Sequence, residues 1–142
     1  MSVTKDIEAL LPHRAPFLFV DEIVSADEKS SVSVHTFTEN EFFFKGHFPQ
    51  YPVVPGVILI ETMAQAGGAA LSYQKVLPEG SLFFLGTVDK VKFRRQVRPG
   101  DTVRIEIENL RVSGRMIKQA GKAYVEDELA AEAEWMCLVG SA

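Results

Sequence analysis

PGVILIETMAQAGGAALSYQ, residues 55 to 74, carries one charge, Glu61, in a run otherwise made of aliphatic, small and uncharged polar residues. No other stretch restricts the fold as much. Pro55 suits the first helical position, where a missing N–H costs nothing, and a helix from there to about Val76 would be roughly 33 Å long. Its apolar residues lie around nearly the whole circumference, whereas a surface helix keeps a polar face, so this helix must be covered on most sides. A membrane span would need ~20 predominantly apolar residues, and Glu61, Gln65, Gly67, Gly68, Ser72 and Gln74 make the run too polar for one.

The rest of the chain must supply the cover. Thr4 can cap a short helix ending at Leu11, with Asp6 and Glu8 in its first turn and Pro12 as a stop. Residues 17 to 26 and 30 to 38 are rich in β-branched and aromatic side chains, and Asp27-Glu28-Lys29 between them suits a turn, which predicts two antiparallel strands. ENEFFFKGHFPQYPVV, residues 39 to 54, mixes aromatics with glycine and prolines and reads as an ordered loop with a buried side. Beyond the helix the period changes to two. TVRIEIE, residues 102 to 108, alternates Val103, Ile105 and Ile107 with polar residues, and LAAEAEWMCLV puts Glu132 and Glu134 on one side. SLFFLGTVDKVKFRRQV before Pro99-Gly100-Asp101, and MIKQAGKAYVE after Ser113-Gly114, complete about four further strands. The order predicts an α+β fold in one domain, residues 1–142: an antiparallel β-sheet wrapped around one long central α-helix.

Composition narrows the function classes. A net charge of -4 argues against generic nucleic-acid binding. Cys137 is the only cysteine, so no intramolecular disulfide and no multi-cysteine zinc site can form. MSVTKDIEALLPHR has no apolar core of signal-peptide length, and a cytoplasmic protein with no membrane segment is expected.

An ionised, unpartnered Glu61 inside such a helix is expensive, which leaves three outcomes: an ion pair with an Arg or Lys, a neutral acid, or a site that uses the carboxyl group. His47, in GHFP eight residues before Pro55, is the second reactive candidate, although a histidine in an aromatic loop can equally be structural. The helix start at Pro55-Gly56 presents unpaired N–H groups with a partial positive charge behind them, and Gly56 offers its amide without a side chain in the way. A carbonyl oxygen held there would be polarised. Gln65, one turn after Glu61, could orient the carboxyl group or simply bond to solvent or backbone.

LLPHRAPFLFVD, GHFPQYPVVPGVILIETMAQ and FLGTVDKVKFRRQVRPGD resemble, in order and over nearly the whole chain, the signature blocks of the FabZ-type β-hydroxyacyl-[acyl-carrier-protein] dehydratases, which have the hotdog fold. The resemblance implies that His47 and Glu61 are the catalytic pair, contributed by different subunits of a homodimer, and that the Gly56 N–H binds the thioester carbonyl. It implies a (3R)-hydroxyacyl substrate carried on the phosphopantetheine of an acyl carrier protein, a trans-2-enoyl product, no cofactor, and a homohexamer built as a trimer of dimers. A hotdog thioesterase, using a carboxylate of the same helix, is the alternative activity; GHFP followed by PGVILIE favours the dehydratase. The family commonly has Gly-His where this chain has Gln50-Tyr51 and Met at Val54, which bears on the loop beside the acyl tunnel and hence on chain length. Phe42, Phe43, Phe44 and Phe48 could line that tunnel or be plain core. Lys90, Lys92, Arg94, Arg95 and Arg98 concentrate positive charge that could steer an acidic carrier protein, or form a solvated strand face. His13 and His35 receive no chemical role.

Overall fold

The apolar run forms helix α1, Gly56–Tyr73, in the computed structural model, which describes residues 2–141. Its 18 residues rise about 27 Å. Pro55 is the N-cap and not the first helical residue, because its ψ of 140° is extended; the helix ends at Tyr73, short of the expected Val76, and Lys75 turns the chain away with φ 59°. Every residue from Thr62 to Leu71 is buried, which only a helix enclosed on all sides can show.

Six strands enclose it: β1 (Glu22–Ala26), β2 (Ser30–Thr36), β3 (Ser81–Phe93), β4 (Thr102–Val112), β5 (Met116–Val125) and β6 (Glu128–Ser141). They form one sheet in the order β1-β2-β4-β5-β6-β3 with every neighbouring pair antiparallel, and α1 touches all six. The period-two pattern fixes which face turns inward. Val103, Ile105 and Ile107 of β4 and Ala131, Ala133, Trp135 and Cys137 of β6 are buried with Met63, Ala66 and Leu71 of the helix, each large aliphatic side chain contributing about 1.5–3 kcal/mol. The expected turns form. Asp27 Oδ1 accepts the N–H groups of Lys29 (2.8 Å) and Ser30 (2.9 Å), and Gly100 takes the φ of 94° that the Pro99-Gly100 turn requires.

Two local expectations fail. The capped helix from Thr4 is only a single 3-10 turn, Ile7–Ala9, because the Thr4 backbone pairs instead with Ile23 across a β-bridge. The strand expected from Phe17 begins only at Glu22. Phe17 and Phe19 spend their backbone groups on a side chain of α1: the Gln65 amide donates to the Phe17 carbonyl (3.1 Å) and its Oε1 accepts the Phe19 N–H (2.8 Å). That bond replaces a ladder partner.

A buried amide joins helix to sheet. Gln119 of β5 donates to the Gly67 carbonyl (3.2 Å) and to Asn109 Oδ1 (2.8 Å), and its Oε1 accepts the Trp135 indole N–H (3.3 Å). A Cβ on Gly67 would lie 2.1 Å from Gln119 Oε1, so only glycine permits this approach. Gly68 packs more loosely, its added Cβ meeting the Phe83 ring at 3.4 Å.

β3 is the odd strand. It closes one edge of the sheet, pairs among the described residues with β6 alone, and leaves Phe84 55 % and Phe93 52 % exposed together with Leu85 and Val88. A long edge strand with free backbone groups and apolar side chains is a surface prepared for pairing.

Candidate active site

His47 is held beside the start of α1 by the backbone. Its carbonyl accepts the Val53 N–H (2.9 Å) and its Nδ1 lies 3.1 Å from the Val53 carbonyl, while Val54 donates to the Val97 carbonyl (2.8 Å) and leads into Pro55. A carbonyl can only accept, so Nδ1 carries a proton, which makes Nε2 the nitrogen that holds the lone pair when the ring is neutral, the form a general base needs. The ring stacks on Phe48 with centroids 4.3 Å apart. Tyr51 fixes the far side of this loop: its hydroxyl donates to Gln96 Oε1 (2.7 Å) and the Arg98 guanidinium lies 4.3 Å from its ring centroid.

At the helix start the Pro55 carbonyl accepts from Ile58 (2.9 Å) and Leu59 (3.2 Å), and the Gly56 N–H has no carbonyl within the helix to bond. Gly56 borders a cavity of about 560 Å³ lined also by Val54, Val57, Phe93 and Arg94. The Phe93 ring lies over the glycine so closely that an added Cβ would come within 2.8 Å of it. Glycine thus leaves the amide open and lets the Phe93 ring rest above it.

Glu61 faces a different cavity, of about 280 Å³, with His13, Gln65, Phe83, Phe84, Leu85 and Cys137 in its walls. Its side chain is 20 % exposed, so it is not sealed in the helix core. Gln65 Nε2 donates to Glu61 Oε2 (3.0 Å), and His13 Nε2 approaches the same oxygen at 3.5 Å. Gln65 is thus the hydrogen-bond donor at Oε2, and no hydrogen bond to Oε1 forms among the described residues. Burial lowers the pKa of His13, against the pull of the Glu61 charge, so the ring is neutral near pH 7; its Nδ1 is buried with no partner among the described residues. Burial, with the Glu61 charge acting in the same direction, pushes the Cys137 thiol up to about 12, and it lines the cavity as a thiol.

The structure thus brings Gln65 to Glu61 and ties His47 to Val53 just ahead of α1, while Gly56 and Glu61 border separate cavities of one chain. No Arg or Lys pairs with Glu61 among the described residues. Phe43 and Phe44 are core, while Phe42 and Phe48 are exposed. The basic stretch is partly neutralised: Lys90 pairs with Glu134 (3.4 Å), Arg94 with Glu132 (2.9 Å) and Arg95 with Glu128 (3.4 Å), whereas among the described residues Lys92 and Arg98 face no carboxylate within ion-pair range. His13 is the functional neighbour that sequence reasoning passed over; its position in the LLPHR block was the available signal.

Residues 11–134 match the FabA-like domain model. The chain is 50% identical over 135 residues to the 3-hydroxyacyl-[acyl-carrier-protein] dehydratase FabZ of Desulforamulus reducens, covering 94% of each chain. It is 43% identical over 143 residues to the FabZ of Coxiella burnetii, covering 99% of this chain and all (100%) of the relative. Among solved structures it resembles the dehydratase heterocomplex ApeI:P of Xenorhabdus doucetiae (TM-score 0.81, 16% identity, 95% of this chain and 91% of that one). It also resembles the E. coli PaaI protein of the phenylacetic acid degradation operon (TM-score 0.61, 18% identity, 82% and 80%). At those identities the two structures speak for the hotdog fold alone.

Proposed function

This chain belongs to the FabA-like family and within it to the FabZ-type dehydratases, and from that premise we infer how its residues divide the reaction. It is a hydro-lyase that dehydrates 3-hydroxyacyl-[acyl-carrier-protein]; the thioesterase alternative is not favoured. The substrate we propose is the (3R)-hydroxyacyl thioester on phosphopantetheine, and the product the trans-2-enoyl thioester and water.

The Gly56 N–H, backed by the dipole of α1, receives the thioester carbonyl and stabilises the charge that develops on its oxygen. His47 Nε2 takes the proton from the carbon next to the carbonyl. The electron pair released forms the new carbon–carbon double bond as the C–O bond at the β-carbon breaks, and Glu61 Oε1 gives its proton to the departing hydroxyl, which leaves as water. Proton transfer from the His47 imidazolium back to the Glu61 carboxylate resets the site. No metal, flavin or nicotinamide enters these steps.

The single observation that supports the division of labour is β3. Its Phe83–Leu85 end walls the Glu61 cavity and its Phe93 end covers Gly56. Two copies of β3 paired antiparallel about a two-fold axis would set the first end of one strand beside the second end of the other. Glu61 of one subunit would then face Gly56 and His47 of its partner, and the exposed apolar side chains of β3 would be covered. We propose this homodimer as the active unit, three of which form a hexamer, with Lys92 and Arg98, assisted by Arg94 and Arg95, steering an acidic acyl carrier protein. The compartment we propose is the cytoplasm, which suits a lone, buried, reduced Cys137.

The direct test is incubation with a (3R)-hydroxyacyl carrier-protein thioester, followed by mass spectrometry. Loss of one water with the thioester intact is expected; release of free acid without enoyl product would overturn the reading.

A further inference from the structure

His35, on the inner face of β2, is 7 % exposed in its side chain and has a carboxylate at each ring nitrogen: Asp21 Oδ1 at 2.8 Å from Nδ1 and Glu41 Oε2 at 2.8 Å from Nε2. An ionised carboxylate only accepts hydrogen bonds, so two contacts of this length require two N–H donors and the ring is an imidazolium. The Phe37 ring stands edge-on at 4.5 Å and the Phe19 ring at 5.9 Å, Val103 lies opposite on β4, and among the described residues Asp21 and Glu41 are the only charged groups in ion-pair range. Burial opposes the charge, but the hydrogen bonds and charges of Asp21 and Glu41 outweigh it and raise the His35 pKa.

The two carboxylates are not equivalent. Asp21 has a second partner, since its Oδ2 accepts the Thr36 N–H (2.8 Å). Glu41 has none among the described residues, and its side chain is only 13 % exposed. Loss of one proton from His35 leaves a single N–H, which Glu41, having no other donor, retains, but the positive charge that balanced this buried carboxylate is gone, and the bond that holds it weakens. Glu41 opens the 3-10 turn Phe42–Lys45, with the Phe44 N–H bonded to the Glu41 carbonyl (3.3 Å) and the Gly46 N–H to that of Phe43 (3.2 Å). His47 is the next residue.

We propose that His35 is a positioning residue for the dehydration: as an imidazolium it anchors Glu41, and through the Phe42–Lys45 turn the loop that carries His47, so that deprotonating it loosens the catalytic loop and lowers turnover while the fold persists. This rests on His47 being the base. Asp21 and Glu41 therefore act as the two ends of a charge-dependent strap between the segment ahead of β1 and the catalytic loop.

The experiment is turnover against pH for the full chain, wild type beside His35→Lys and Glu41→Gln, with thermal melting and ring-nitrogen NMR of His35. Wild type should lose kcat reversibly on the alkaline side, in step with loss of the imidazolium signal and below any unfolding. His35→Lys keeps a cation there and should move that limb up by about one pH unit or more. Glu41→Gln, which preserves shape while removing charge, should lower kcat about tenfold with little change in KM and move the limb down. A limb unmoved in both folded variants overturns the proposal. A His47→Ala variant run alongside separates the two readings: if it is inactive while the limb stays put, only the anchoring role falls, and if it turns over like wild type, both fall.

Discussion

Gln65 binds Glu61 with the same amide that replaces the missing strand at Phe17–Phe19: Nε2 donates to Glu61 Oε2 and to the Phe17 carbonyl, and Oε1 accepts the Phe19 N–H. The orientation of the proposed acid is thus tied to the packing of the segment after Pro16. Gln65→Leu should leave the buried Phe19 N–H and the part-buried Phe17 carbonyl without their partner and cost about 1–3 kcal/mol in urea unfolding. It should also lower kcat. A variant that keeps wild-type stability and turnover would mean the amide merely fills space.

The proposed sharing of sites predicts complementation. His47→Ala and Glu61→Gln should each abolish turnover without unfolding, yet subunits of the two, dissociated and reassembled at equal amounts, should recover about a quarter of the wild-type sites, because a mixed dimer holds one intact pair. Mixtures that stay inactive, with mixed dimers detected by native mass spectrometry, would contradict the shared arrangement.

Gly56→Ala would force its new Cβ against the Phe93 ring, 2.8 Å away, and should destabilise by about 1–3 kcal/mol while lowering kcat. Replacing Phe93 with Ala in the same chain should restore part of the stability. The non-additivity of the double-mutant cycle, read from denaturation midpoints, measures the clash.

Two histidines should tilt the pH dependence of stability in opposite directions. Burial depresses the pKa of His13, so its contribution is full above the unfolded value of 6.5 and is lost as pH falls through the folded value. That of His35 is raised by Asp21 and Glu41 against burial; its contribution is full below 6.5 and is lost as pH rises through the folded value. Melting temperature against pH should therefore fall less just below pH 6.5 in His13→Asn and less above it in His35→Gln.

Charge reversal at Lys92, which has no ion-pair partner among the described residues, should raise KM for a carrier-protein substrate, most at low salt, and leave a small pantetheine thioester unaffected. Equal effects on both substrates would place this residue in the acyl site instead.

What was legible in the sequence was what local pattern controls. The enclosed helix followed from the lack of a polar face between Thr62 and Leu71, and β4 from the alternation of Val103, Ile105 and Ile107. The hidden parts depend on partners distant along the chain. Phe17–Val20 has strand composition, and nothing local says that Gln65 will take its hydrogen bonds. Thr4 is a sound helix cap that pairs with Ile23 instead. His47, Glu61 and Gly56 stood out through motif and helix-start chemistry, whereas His13 reaches Glu61, and His35 its two carboxylates, only once the sheet has closed.

The Gln119 amide has a meaning beyond its three hydrogen bonds. Apolar side chains tolerate sliding, and a helix surrounded by aliphatic residues could settle one turn, about 5.4 Å, higher or lower at modest loss of contact. A donor that meets the helix at the Gly67 carbonyl, where no side chain intervenes, works as a ruler mark. It indexes α1 against β5 and β6, and so sets the height at which Glu61 opens onto its cavity. The chain gives up a little interior greasiness to know where its acid is.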